Sequence, residues 1–142
     1  MSTVREISGP EELALCRALR REVFIEEQAV PEAEEWDGLD AEARHWLVFD
    51  GAVPVATMRL RVLGEVGKIE RVCVRAAHRG SGHGLALMRA ALAALAETPG
   101  VTEARLGAQL HAIAFYEALG FTAHGAEFMD GGMPHRWMTK PL

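Results

Sequence analysis

The sequence predicts an α/β fold in which helices pack on a central β-sheet. Apolar side chains recur at spacings of three and four in some stretches, which is typical of helices, and alternate with polar ones in others, which is typical of strands. The predicted order along the chain is β, α, a run of β, then α, β, α, β, β. Helices that alternate with strands in this way favour a layered α/β domain over a helix bundle or a β-sandwich.

The first predicted elements are a short strand at residues 3–7 and a helix that begins after Ser8. Ser8 opens a helix-start pattern, with proline in the first turn and a carboxylate three residues after the cap. Apolar side chains then recur at every fourth position: Leu15, Leu19 and Val23. We therefore expect the helix to extend to about Gln28, ahead of an acidic loop.

Three strands are predicted next. An Asp-Gly turn signal separates residues 44–50 from residues 53–62, so these two segments are expected to pair as a β-hairpin. The third strand covers residues 68–74. Strict alternation along it would place one set of side chains on a single face: Glu70, Val72 and Val74.

A glycine-rich segment, residues 78–84, separates the third of these strands from a helix. Glycine permits positive φ and close backbone approach, and the unpaired amides at a helix start favour an anion. Arg75 and Arg79 add positive charge. The segment lacks the Gly-Lys-Ser/Thr ending of a Walker loop and the wider dinucleotide fingerprint. It is typical of a phosphate-binding turn, although an ordinary tight turn stays open as an alternative.

The C-terminal part is predicted to form a strand, a short helix and two final strands. Gly120 would end the helix, and an Asp-Gly-Gly turn would join the last two strands. In chain order these segments are residues 103–108, 110–119, 121–126 and 135–140.

Composition excludes several classes of protein. A net charge of −5 argues against a general nucleic-acid binder, and two cysteines cannot supply a disulfide scaffold. The six histidines show no spacing typical of zinc, so no metal is expected. The chain begins with charged residues instead of a signal peptide and has no apolar run near the roughly 20 residues of a membrane span. We expect one cytoplasmic domain over residues 1–142, with no nucleic-acid or membrane partner.

The charge is unevenly distributed. Residues 26–42 carry eight acidic and no basic side chains, whereas residues 68–89 carry five basic side chains and one acidic. The basic segment suits one small polyanion. The acidic segment is either a solvated face or a surface that meets a cationic ligand.

Two motifs closely resemble those of the GNAT superfamily of acetyl-CoA-dependent N-acetyltransferases. The first, RGSGHG from Arg79 to Gly84, matches the family's acetyl-CoA signature and follows a strand of the expected type. The second, AIAFYEALGF at residues 112–121, resembles the family's late helix. Other segments are similar to the ElaA-like branch: residues 21–28, 37–45 and 133–138.

The resemblance implies a mixed, mostly antiparallel central sheet flanked by helices, with a splay between central strands that holds acetyl-CoA. It implies that one loop binds the pyrophosphate: Arg79, Gly80, Ser81, Gly82, His83 and Gly84. It also implies that the pantetheine arm pairs with strand backbone at Val72, Cys73 and Val74. Gln109 stands where many relatives carry Asn, at a position beside the cofactor.

The resemblance further implies direct transfer of acetyl to a primary amine, in a small molecule or a protein. The amine must lose a proton before it attacks, and the departing thiolate benefits from a proton donor. Tyr116 matches the family's general acid, and Glu70 is the first candidate for the base, with His135 and Glu127 as alternatives. The expected acceptor contacts are Glu27, Arg59, Glu127 and His135.

Three alternatives stay open at this point. Tyr116 has the spacing of a core aromatic residue as well as that of a catalytic one. The domain could be a non-catalytic acyl-CoA sensor or regulatory module that keeps the binding loop without the chemistry. Members of this superfamily pair in several ways, so a homodimer and a monomer are both compatible with the sequence.

Overall fold

The computed structural model describes residues 1–142 and consists of seven strands and four α-helices around one sheet. The strands are β1 (Ser2–Glu6), β2 (Arg44–Asp50), β3 (Val53–Leu63), β4 (Val66–Val74), β5 (Glu103–Gln109), β6 (Thr122–Asp130) and β7 (Met133–Pro141). The helices are α1 (Gly9–Arg20), α2 (Glu32–Glu35), α3 (His83–Ala96) and α4 (Ile113–Glu117).

The sheet is mixed and mostly antiparallel, as predicted. Its strand order is β1-β2-β3-β4-β5-β7-β6, and only the central pair β4–β5 is parallel. That pair is hydrogen-bonded only where residues 66–68 meet residues 103–105. Beyond this short contact β4 and β5 diverge, which confirms the predicted splay between central strands.

The two faces of the sheet pack against different helices. One face and α3 form the larger core, in which Leu87, Met88 and Leu95 are fully buried. A Cβ on Gly67 of β4 would lie 2.3 Å from the Leu95 side chain, so this glycine permits the close approach of α3. The opposite face and α1 enclose a smaller apolar cluster that contains Cys16 and Leu19.

The alternation of side chains along β4 is interrupted at Arg71, which has a φ of +56°. The register of β4 against β3 shifts there, so that β4 carries one extra residue, a β-bulge. Ile69 and Val72 consequently both pack toward the α3 core, while Glu70 pairs with Arg59 on the other face. The prediction that Glu70 and Val72 share a face is therefore wrong.

The first helix ends near the predicted residue but by a different route. Beyond α1 the chain continues as a π-helical segment, Arg21–Glu27, in which the Gln28 amide donates to the Val23 carbonyl at 3.1 Å. At its start the Ser8 side chain makes no cap. The Ser8 amide instead donates to the Glu12 carboxylate at 2.7 Å.

The acidic segment is not a plain loop. It contains α2 and a 3₁₀ turn at Asp40–Glu42, neither of which was predicted. No helix in the structure combines the length and the apolar character that a membrane crossing requires.

Candidate active site

A cavity of about 620 Å³ opens where β4 and β5 diverge. β4 contributes residues 68–74 to its wall, and β5, α2, α4, the π-helical segment and the β6–β7 hairpin supply the remaining sides. Residues 70–74 have no partner strand on the β5 side. An extended ligand could therefore hydrogen-bond to the free backbone groups of β4, as an added strand would.

The glycine-rich turn forms a helix start with free amides beside this cavity. Gly80 and Gly82 have φ values of +81° and +85°, and none of the amides of residues 80–85 donates a hydrogen bond to another backbone group. A Cβ on Gly84 would lie 3.7 Å from Phe115 and 4.0 Å from Val74, both of which line the cavity. Free amides and the α3 dipole therefore act at one end of the cavity.

Arg79 links this turn to the end of the first helical segment. Its Nε donates to the Val74 carbonyl at 2.9 Å, and its two Nη atoms each donate to a carboxylate oxygen of Glu27 at 2.6 Å. Hydrogen bonding by Arg79 holds the pKa of the Glu27 carboxyl below its usual value. The sequence predicts Arg79 at the phosphates and Glu27 at the acceptor, whereas the structure joins the two side chains to each other.

Tyr116 lines the cavity from α4. Its ring packs edge-on against Phe115 and Phe121, with centroid distances of 5.1 and 6.1 Å. Burial raises the pKa of the Tyr116 phenol to about 12, so the hydroxyl remains protonated at neutral pH. Tyr116 also packs against the main core, so its structural and chemical roles are compatible.

Glu70 lines the cavity but is bound by cations. Its Oε1 accepts hydrogen bonds from Nε of Arg59 at 3.1 Å and Nε of Arg61 at 2.6 Å, and Lys68 Nζ lies 3.6 Å from its Oε2. Burial acts to raise the pKa of Glu70, but the hydrogen bonds of Arg61 and the neighbouring positive charges hold it below its usual value. A carboxylate in this setting is a weak proton acceptor.

His135 belongs to β7 and lines the cavity, and its residue surface is only 7% exposed. Its Nδ1 lies 2.8 Å from the carbonyl oxygen of Met133. Because a carbonyl oxygen only accepts hydrogen bonds, Nδ1 carries the hydrogen, and in the neutral ring Nε2 keeps a free lone pair. The ring stacks on Phe128 at a centroid distance of 5.7 Å.

Gln109 connects the end of β5 to the first helical segment. Its Nε2 donates to Oε1 of Gln28 at 3.1 Å, and its own Oε1 lies 2.7 Å from Nε2 of His111. All three residues line the cavity. The Gln109 side chain thus bridges two walls of the cavity.

The other predicted site residues are divided between the cavity and its surroundings. Val72, Cys73 and Val74 line it, and burial raises the pKa of the Cys73 thiol. Arg59 is fully buried and Glu127 is exposed, and neither lines the cavity. The structure therefore does not bring these last two residues to the predicted acceptor site.

Sequence reasoning missed a buried charge cluster that fastens the acidic segment to the sheet. Its members are Arg20, Arg59, Arg71, Glu35, Asp37 and Asp40. Four of its six members are buried, while Arg71 is half-buried and Asp37 lies at the exposed edge. Arg20 lies 2.8 Å from both Glu35 and Asp40, and Arg59 lies 2.7 Å from Asp37 and 2.9 Å from Asp40. These acids are neutralised within the protein, so they do not form an open surface for a cationic ligand.

This mostly antiparallel sheet flanked by helices matches that of solved N-acetyltransferase structures. The sequence matches the family model described as the acetyltransferase (GNAT) family over residues 12–121. This chain belongs to the GNAT family, as the sequence motifs indicate.

Relatives and solved structures agree with this assignment. The chain is 42% identical to YjcF of Bacillus subtilis (strain 168), which is described as an uncharacterized N-acetyltransferase. The match extends over 123 residues and covers 86% of this chain and 87% of that protein. The crystal structure of Escherichia coli ElaA superposes with a TM-score of 0.88 at 29% identity, covering 99% of both chains. The PaiA N-acetyltransferase of Thermoplasma acidophilum, solved in complex with coenzyme A, shares the fold at 13% identity, with a TM-score of 0.75 and coverage of 100% and 99%.

Proposed function

We propose that this protein transfers the acetyl group of acetyl-CoA to a primary amine by direct attack, with both substrates bound together. One observation carries the proposal: a single cavity joins the unpaired backbone of β4 to Tyr116, and the free amides of the α3 start adjoin it. An elongated ligand with a phosphate at one end and a reactive group at the other fits this layout. The coenzyme A complex of the PaiA acetyltransferase supports the choice of ligand.

The cofactor would be held mainly by backbone groups. The amides of residues 80–85 are free to bind the pyrophosphate, and the glycines leave room for it. The pantetheine arm would pair with the free edge of residues 72–74. The Arg79 side chain is already bound to Glu27 and Val74, so its proposed contribution is to hold the turn while its positive charge favours the phosphates.

The chemistry forms one carbon–nitrogen bond and breaks one carbon–sulfur bond. The amine nitrogen attacks the thioester carbon, and the Val72 amide would stabilise the charge that develops on the carbonyl oxygen. Tyr116, protonated at neutral pH, would give its proton to the departing thiolate. Burial keeps the Cys73 thiol protonated and unreactive, which favours direct transfer over an acetyl-cysteine intermediate.

Calorimetric titration with acetyl-CoA, followed by a thiol-release assay with a panel of primary amines, tests the proposal. We expect binding in the micromolar range and amine-dependent release of coenzyme A. Absence of binding at high micromolar acetyl-CoA would remove the enzyme function, and binding without release for any amine would indicate a sensor.

The role of Tyr116 is tested separately. We expect Tyr116→Phe to lower kcat by about 10²-fold, since the phenol is the proposed proton donor. The dissociation constant for acetyl-CoA, measured by calorimetry on the same variant, should stay within a few-fold of wild type because the ring is retained. An unchanged kcat would leave Tyr116 as a core residue only.

A further inference from the structure

We propose that His135 is the base that removes a proton from the attacking amine; this inference rests on the proposed acetyl transfer. The Met133 carbonyl accepts a hydrogen bond from Nδ1, which directs the neutral ring to keep its lone pair on Nε2. Nε2 has no hydrogen-bond partner in the protein and is not sealed from solvent. A nearly buried imidazole on the cavity wall thus presents one free proton acceptor.

The imidazole is held in a fixed orientation by an aromatic column. Phe128 stacks on His135 on one side and on Trp137 on the other, with centroid distances of 5.7 and 4.8 Å and interplanar angles of 28° and 25°. Gly107 of β5 lies against this column, because a Cβ there would be 3.2 Å from Phe128 and 3.6 Å from Trp137. An imidazole held by Phe128 on one face and by the Met133 carbonyl at Nδ1 loses little freedom when it meets its substrate.

The other titratable groups on the cavity wall are less suited to this role. Glu27 is bound to Arg79 and Glu35 to Arg20, while His111, which donates one ring hydrogen to Gln109, is exposed to water. Glu70 is bound to three cations. Two further carboxylates on the wall make no ion pair but are exposed to water: Glu34 and Asp130. His135 combines burial with a free acceptor atom on the cavity wall.

The proton balance closes with these groups alone. The ammonium form of the amine gives one proton to Nε2 of His135, and the neutral nitrogen attacks the thioester carbon. After the carbon–sulfur bond breaks, the thiolate takes the Tyr116 proton, and the second proton lost by the amine nitrogen restores the phenol. His135 returns its proton to water. One acetyl amide, one free thiol and one proton result from each ammonium ion.

Comparison of His135→Asn with wild type on two amines tests the assignment. The asparagine amide can still donate to the Met133 carbonyl in place of Nδ1, but it removes Nε2. Benzylamine is an ammonium ion at neutral pH, whereas O-benzylhydroxylamine has the same ring and is already neutral. We expect kcat/KM to fall by about 10²-fold for benzylamine and by no more than a few-fold for O-benzylhydroxylamine. Equal losses on the two amines, or no loss, would overturn the assignment.

Two further measurements separate this inference from the proposed function. Glu70→Gln should change the rates on both amines by a common factor, and a loss confined to benzylamine would assign the base to Glu70 instead.

Independently of turnover, ¹⁵N NMR of the coenzyme A complex should show the His135 proton on Nδ1; a proton on Nε2 would overturn the inference. If wild type releases no coenzyme A with any amine of the panel, the proposed function fails, while the NMR result still tests the geometry of His135.

Discussion

The glycine-rich start of α3 and the buried charge cluster lie at opposite extremes in how they use polar groups. At the start of α3 the amides of residues 80–85 have no backbone partner and the φ values of Gly80 and Gly82 are positive. In the cluster, Arg20 and Arg59 are completely buried and each bonds to two or more carboxylates. The contrast shows that the free polar groups at the start of α3 are backbone amides, while many charged side chains pair with one another inside the fold.

This difference changes how the charge of a segment is interpreted. The acidic residues 26–42 suggest a surface for cations, yet their buried members Glu35 and Asp40 are bound by arginines. The basic residues 68–89 suggest a surface for anions, yet Arg71 and Arg79 are bound by carboxylates. Net charge along the chain therefore predicts internal pairing here more than it predicts ligands.

The largest expected effect comes from removing one cation of the buried charge cluster. Arg59→Met keeps most of the side-chain volume but leaves Asp37, Asp40 and Glu70 short of a partner. Because an unpaired buried charge is costly, we expect the free energy of unfolding to fall by about 3–5 kcal/mol in chemical denaturation. The matched control is Arg44→Met, whose half-exposed pair with Glu6 should contribute less than about 1 kcal/mol. Similar small losses in both variants would mean that the cluster is hydrated.

A medium effect, on binding instead of stability, is expected at the glycine-rich turn. Gly82→Val places a branched side chain at a φ of +85° where the cofactor phosphates are proposed to lie. Gly64→Val introduces the same backbone strain at a φ of +62° in the β3–β4 turn, and neither Cβ meets any protein atom within 4 Å. We expect the calorimetric dissociation constant for acetyl-CoA to rise by about tenfold or more for Gly82→Val only. Equal affinities in the two variants would contradict the placement of the phosphates.

The smallest effect is a change in the acid sensitivity of the cluster. Burial acts to raise the pKa of the Asp40 carboxyl. The hydrogen bonds that it accepts from Arg20 and Arg59 outweigh this effect and lower the pKa to about 2. The folded protein thus holds this proton less tightly than the unfolded chain, so its contribution is present above about pH 4 and is lost as the pH falls toward about 2.

The variant Asp40→Asn should therefore show a shallower decline of unfolding free energy between about pH 4 and pH 2 than wild type does. Glu42→Gln, at a nearby exposed residue without an ion pair, is the matched control and should follow the wild-type slope. A wild-type slope in the Asp40 variant would show that this carboxylate is not the group protonated in that range.

Local patterns predicted most of the fold because they reflect local physics. The alternation and turn signals of the β2–β3 hairpin, and the glycine-rich turn before α3, each depend on residues close together in sequence. The α/β class followed from these patterns, whereas the splay and the family followed from the resemblance that the two motifs carry. The sequence also placed Val72, Val74 and Tyr116 at the site, and all three line the cavity. Their roles in binding and catalysis stay predictions.

Features that depend on distant partners could not be predicted in the same way. The pairing of Arg20 with Glu35 and Asp40 needs the tertiary fold, because similar charges along the chain are compatible with many pairings. The hydrogen bond that fixes the Nδ1 proton of His135 depends on the bend of the chain at Met133. Strict alternation also failed in β4, since no local signal in the sequence marks Arg71 as a bulge with positive φ.

The bulge at Arg71 has a consequence for comparing this chain with others. It is one added position between two segments of regular strand, so it reverses the parity of everything that follows it in β4. Deletion of Arg71 would remove the bulge and restore strict alternation, so Val72 would stay on the face opposite Glu70 and Cys73 on the same face as Glu70. A relative that lacks this position would therefore keep the same faces of β4, although the two parts of its strand would stand one residue closer together in the sequence.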